Sequence, residues 1–148
     1  MYGVAVAQIV THHECRMCDL LQRLEMRRVH LPQRLEAAAQ RGVSVTLLIG
    51  VGQFRLQDAV AQSFYPRLLR AGVKIAEYRH TQLHAKVAVI DDEWATVGSS
   101  NFDGLSLFVN HEANIIVRDE GFARSLRDYI AQGVRESVTV GAQQLARL

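Results

Sequence analysis

At 148 residues the chain has the length of one domain with room for a full apolar core. Hydrophobic residues make up 49% and charged residues 22%, a globular balance that excludes disorder as the default. The net charge of +2 is too small to mark a nucleic-acid binder by itself, and apolar runs such as Val43 to Val51 fall far short of the roughly 18 to 20 residues of a membrane span.

Met1 to Ala7 has no basic n-region, which argues against a secretory signal. The expected location is therefore cytoplasmic, with peripheral contact at the inner face of the cell membrane. Val4 to Val10 is β-prone, and Glu14 to His30 sets Leu20, Leu21, Leu24 and Met26 among charges in the manner of an amphipathic helix. Cys15 and Cys18 form a lone C-x-x-C beside His12 and His13. Without a second pair, chance or a helical pair of thiols is a better reading than a metal site. Residues 1–30 are set apart as an atypical N-terminal segment.

From Pro32 to Arg41 a helix is opened by proline and stopped by Gly42. Val43 to Ile49 reads as a buried strand, broken by Gly50 to Gly52. A second helix covers Leu56 to Ala71, interrupted at Pro66 and ended by Gly72, and Val73 to Tyr78 is the next strand. Helix, glycine, strand thus occurs twice, the rhythm of an α/β fold with a mixed, mostly parallel sheet and helices on both faces. Arg67, Arg70 and Arg79 form either a basic rim for anions or, the ordinary case, a solvated surface.

The stretch from Leu83 to Asp103 carries the chemistry. His84, Lys86, Asp91, Gly98, Ser99 and Asn101 stand in the pattern H-x-K-x4-D-x6-G-S-x-N, six specified residues at fixed offsets and therefore a strong short motif. Apolar alternation predicts a strand through Ile90 that sends His84 and Lys86 to one face. Asp91 falls on the opposite face and is expected to be structural. Turn residues follow, then the β-prone Trp94 to Val97, which together read as a hairpin returning Gly98 to Asn101 toward His84. An ammonium, a hydroxyl, an amide and a close-approaching glycine backbone suit a tetrahedral phosphate, with His84 able to attack phosphorus. Such a histidine needs an acceptor to fix its tautomer. Glu112, in Asn110 to Asn114 before the strand Ile115 to Val117, is the candidate. His80 and His111 are read as ordinary polar residues. Glu120 to Gly133 closes the domain as an amphipathic helix with Phe122, Leu126 and Ile130 in the core, and residues 134–148 are a tail.

The motif resembles the HKD signature of the phospholipase D superfamily. Tyr65 to Val73, Leu83 to Asn101 and Asn110 to Asp119 are similar to the C-terminal half of bacterial cardiolipin synthases of that type. Phe102-Asp103-Gly104 departs from them, since a proline usually follows that aspartate there. The resemblance implies a phospholipase D-like sandwich over residues 31–133 and no metal or other cofactor, lysines taking the place of a cation. It assigns catalysis to His84, Lys86, Ser99, Asn101 and Glu112, with Asp91 and Gly98 as structural letters of the motif. The expected activity is phosphatidyl transfer between glycerophospholipids through a phosphohistidine.

One histidine cannot stand on both sides of phosphorus. The expected partner is a second copy in a homodimer, with the site at a sheet edge beside the two-fold axis, or another motif-bearing chain. Two alternatives stay open: a homodimeric single-motif nuclease acting on DNA or RNA, against which the low charge weighs, and a truncated, non-catalytic or partner-dependent half of a two-motif enzyme.

Overall fold

The computed structural model describes residues 7–10, 31–52, 55–99 and 113–141. Its elements are β1 (Ala7–Val10), α1 (Leu31–Gln40), β2 (Ser44–Gly50), α2 (Arg55–Ser63), α3 (Tyr65–Arg70), β3 (Lys74–Tyr78), β4 (Val87–Ile90), β5 (Trp94–Gly98), β6 (Asn114–Arg118), α4 (Glu120–Arg135) and β7 (Val138–Thr139). Among the described residues the strands form one seven-stranded sheet in the order β6-β5-β4-β1-β2-β3-β7. The expected helix from Glu14 to His30 and its cysteines lie outside the described residues.

Side-chain alternation divides the core in two. Leu47 and Ile49 of β2 join Ile75, Ala88 and Ile90 on one face, against Leu35 and Ala38 of α1 and Tyr65 and Leu68 of α3. Leu48 points the other way, with Ala76, Val89 and Ala95, onto Ala123 and Ile130 of α4. Period-2 strands buried on both faces require helices on both faces, so the expected α/β architecture is present.

The balance within the sheet differs from the mostly parallel expectation. Parallel pairing joins β1 to β4 and β2 to β3. The pairs β1–β2, β3–β7, β4–β5 and β5–β6 are antiparallel. The helix-glycine-strand rhythm reports only on β2 and β3. Asp91 to Glu93, the whole link between β4 and β5, is too short for the crossover that a parallel pair needs. The sheet also reaches beyond residues 31–133, because β1 lies between β4 and β2 and β7 pairs with β3, with Val140 buried beside it.

Local chemistry accounts for the boundaries. Gly42 and Gly72 take φ of +93° and +94°, the left-handed stop that glycine adopts at least cost after a helix. Pro66 lies in the first turn of α3, where a missing N–H leaves no bond unmade, so α2 and α3 are separate helices. Asp119 caps α4, its Oδ1 accepting from the Phe122 N–H at 2.7 Å. Asp119→Ala is expected to lower stability by about 1 kcal/mol in urea unfolding without changing the slope of the transition. Among the described residues no helix is long and apolar enough to cross a membrane.

Candidate active site

Strand register brings distant segments to one end of the sheet. β2 and β3 run parallel, so Gly50 and Tyr78 finish together. β1 opposes β2 and β4 follows β1, so β4 begins at that same end. The antiparallel pairs then put the finish of β5 and the start of β6 there too, with Gly98 opposite Asn114. His84, Lys86, Ser99 and Ala113 are thereby neighbours through sheet geometry.

Regular β4 starts at Val87, later than apolar alternation predicts. The pairing nevertheless continues back one residue, since the Lys86 carbonyl accepts from the Gly98 N–H at 3.0 Å. Leu83 packs against both halves of the core, and Gly50 makes room for it: a Cβ at Gly50 would stand 2.9 Å from the Leu83 Cβ. That anchor fixes the approach of the chain to His84.

His84 is exposed and Lys86 is buried, at 7% exposure. The Lys86 Nζ lies 3.1 Å from His84 Nε2 and 3.3 Å from Nδ1, and donates to the His84 carbonyl at 3.2 Å. Nζ thus lies close to both ring nitrogens at once, held by its bond to the His84 carbonyl. The side-by-side placement expected from two-residue spacing is therefore present, with a buried cation beneath an accessible imidazole.

The loop after β5 is tied to the start of β6. Ser99 N–H donates to the Ala113 carbonyl at 3.0 Å, and the Ala113 N–H donates to Ser99 Oγ at 2.9 Å. This reciprocal bond places the serine hydroxyl against the residue that follows Glu112 in the chain. Gly98 is dictated by the same approach, because an added Cβ would come within 2.6 Å of the Ala113 carbonyl oxygen. Asn101, Glu112 and His111 lie outside the described residues.

Asp91 sits at the other end of β4, away from His84. Asp91 and Asp92 have φ of 53° and 54°, and Glu93 N–H closes the turn onto the Ile90 carbonyl at 3.2 Å. Two consecutive left-handed residues make a type I′ hairpin turn, which Asp tolerates better than most side chains. Arg127 of α4 pairs with Asp92 and holds the turn to the helix.

A second polar group at this end of the sheet was not singled out in the sequence. Glu77, at 5% exposure, receives a hydrogen bond from Gln62 Nε2 at 3.2 Å and pairs with Arg79. Burial and the Glu77 charge push the Tyr65 phenol above its ordinary pKa. The signal was available, since Ile75 and Glu77 share a strand face and a carboxylate on a core face requires partners.

Over residues 9–133 the sequence matches the family described as "Cardiolipin synthase, PLD-like domain". The chain belongs to this family. Its phospholipase D-like domain is 48% identical over 101 residues to cardiolipin synthase B of Salmonella typhi, covering 68% of this chain and 24% of that protein. Cardiolipin synthase A of Yersinia pseudotuberculosis is 36% identical over 104 residues, covering 64% of this chain and 21% of that protein. The chain thus spans about a quarter of the length of these curated relatives. The crystal structure of a phospholipase D family member, Nuc from Salmonella typhimurium, superposes with a TM-score of 0.65 over 76% of this chain and 74% of that one. At 22% identity this likeness is one of fold.

Proposed function

We propose that the chain is a phospholipase D-type phosphatidyltransferase acting on glycerophospholipids. The observation that supports this reading most is the Lys86 ammonium 3.1 Å from His84 Nε2, at the end of the sheet where the Gly98–Ser99 loop also arrives. The curated relatives' names supply the substrate class. In the reaction, the phosphodiester draws the Lys86 ammonium onto its oxygens and leaves Nε2 facing phosphorus. Nε2 attacks, a P–N bond forms and the P–O bond to the leaving alcohol breaks. A second histidine gives that alcohol its proton. An acceptor alcohol then returns a proton to the second histidine, attacks phosphorus and releases His84. Ser99 and Asn101 bond the phosphoryl oxygens as charge grows on them, and Glu112 holds the His84 tautomer. The second histidine comes from another copy of the chain or from a separate motif-bearing chain, for which an exposed His84 is accessible.

The test uses phosphatidylglycerol vesicles in excess EDTA. Cardiolipin and glycerol, or phosphatidic acid where water is the acceptor, should form at a rate within about twofold of the rate without chelator, because a lysine pair supplies the charge that a metal supplies elsewhere. Loss of turnover on chelation would sink the mechanism. Light scattering on the same preparation should give the mass of a dimer wherever the chain is active alone.

A further inference from the structure

An open cavity of about 410 Å³ lies at the active end of the sheet, walled by Gly52, Asp58, Gln62, Arg79, His80 and Thr81 among the described residues. It falls within the size range of small-ligand sites, roughly 300 to 1,000 Å³. The loop that leaves β3 forms one wall and then runs, through Gln82 and Leu83, straight to His84. The cavity and His84 are therefore at the same end of the sheet, joined by that loop.

Its walls are held from behind. Buried Glu77 accepts from Gln62 on one carboxylate oxygen and from Arg79 on the other. Asp58 Oδ2 accepts the Gly52 N–H at 2.9 Å, which secures the turn after β2. His80 Nε2 donates to the Glu136 carbonyl at 2.8 Å and ties the third wall to the end of α4. Side chains fixed in this way are preorganised for a ligand.

Charge and donor inventory select the ligand. Arg79 is already matched by Glu77, and Asp58 adds a second carboxylate, so the cavity has no positive surplus to attract a free phosphate. Gln62 donates through Nε2, leaving its carbonyl oxygen as an acceptor, and Asp58 Oδ1 is a further acceptor. Acceptors of this kind, with the Thr81 hydroxyl beside them, suit vicinal alcohol groups.

Resting on the proposed transfer reaction, we infer that this cavity is the alcohol subsite of the enzyme, binding the glycerol head that leaves phosphorus and the glycerol head that replaces it. Both alcohols stand on the same side of phosphorus, opposite the P–N bond, so one pocket serves both steps. Holding an alcohol there raises its local concentration against water and favours transfer over hydrolysis.

The experiment is a titration of the isotope-labelled chain, followed by amide NMR, with glycerophosphoglycerol, the soluble head of phosphatidylglycerol, and separately with inorganic phosphate. Glycerophosphoglycerol should shift the amides of Gly52, Gln62, Thr81 and Gln82 together, while phosphate shifts only those near Lys86 and Ser99. Gln62→Ala should weaken glycerophosphoglycerol at least tenfold and leave phosphate unchanged. Shifts confined to the phosphate positions, cavity shifts produced by phosphate, equal effects of Gln62→Ala on both probes, or no response to glycerophosphoglycerol would each overturn the assignment. Binding is read without turnover, so a failed transfer assay counts against the proposed function and leaves the binding result to decide the subsite. His84→Asn, which removes the nucleophile, should still bind glycerophosphoglycerol at the cavity.

Discussion

Replacing His84 by Asn is expected to lower the turnover of phosphatidylglycerol by roughly three orders of magnitude or more, the scale of removing a covalent nucleophile, while the urea midpoint stays where it is. The two halves of this expectation have separate causes. His84 is exposed, and the Lys86 ammonium keeps its bond to the His84 carbonyl when the ring is replaced, so the stability change should stay at about 0.5 kcal/mol, the scale of a surface substitution. Asn keeps a polar side chain of modest size but has no ring nitrogen to form a bond to phosphorus. Lys86 makes the informative contrast. Its side chain is buried and donates to the His84 carbonyl, so Lys86→Met removes both a charge at phosphorus and a tie on the segment that carries the imidazole. It should lose activity on the order of 100-fold or more and also alter the unfolding midpoint. Mixing adds a further check. If two chains share one site, excess His84→Asn protein should depress the rate per wild-type chain, since mixed pairs carry one histidine where two are needed. Retention of rates within about tenfold of wild type in His84→Asn would remove the nucleophile assignment.

What could be read from the sequence follows how local each determinant is. His84 and Lys86 are two residues apart on extended chain, and extended chain places such side chains together whatever the rest of the molecule does. Their contact was therefore legible. Gly42 and Gly72 announced their helix ends for the same reason, as left-handed stops need no tertiary context. The sheet order was not legible in this way. β1 lies between β4 and β2, far from either in sequence, and only the completed sheet shows which strands it joins. Pairing of β7 with β3 is likewise a long-range choice made by two short, exposed residues with no strong pattern. The cavity was hidden for a different reason: Asp58 and Gln62 on α2 and Arg79 after β3 are common surface types, and only Glu77, a carboxylate on the face of Ile75, betrayed a polar network beneath. Asp91 shows how a motif letter can be read by position alone. Alternation sets it apart from His84, and the turn geometry supplies its local environment.

Gly98→Ala is expected to cost about 1 to 3 kcal/mol of stability, the range for forcing an extra methyl into a closed space, and to reduce turnover beyond what the lost stability explains. A Cβ at this position would lie 1.7 Å from Asn114 Oδ1 and 2.6 Å from the Ala113 carbonyl oxygen. The first obstacle is the end of a side chain and can rotate away. The second is backbone, and it yields only if β6 draws back from β5. As the terminal strand of the sheet among the described residues, β6 is able to move, which keeps the cost within that range. Its movement, however, stretches the bonds between Ser99 and Ala113 and carries off the segment that begins next to Glu112. Adding Asn114→Ala separates the two obstacles. If the backbone clash governs, the double variant should recover less than half of the lost stability and little of the lost turnover. Full recovery of both would mean that the glycine serves only to clear an amide side chain, and that the register between β5 and β6 does not set the position of Ser99.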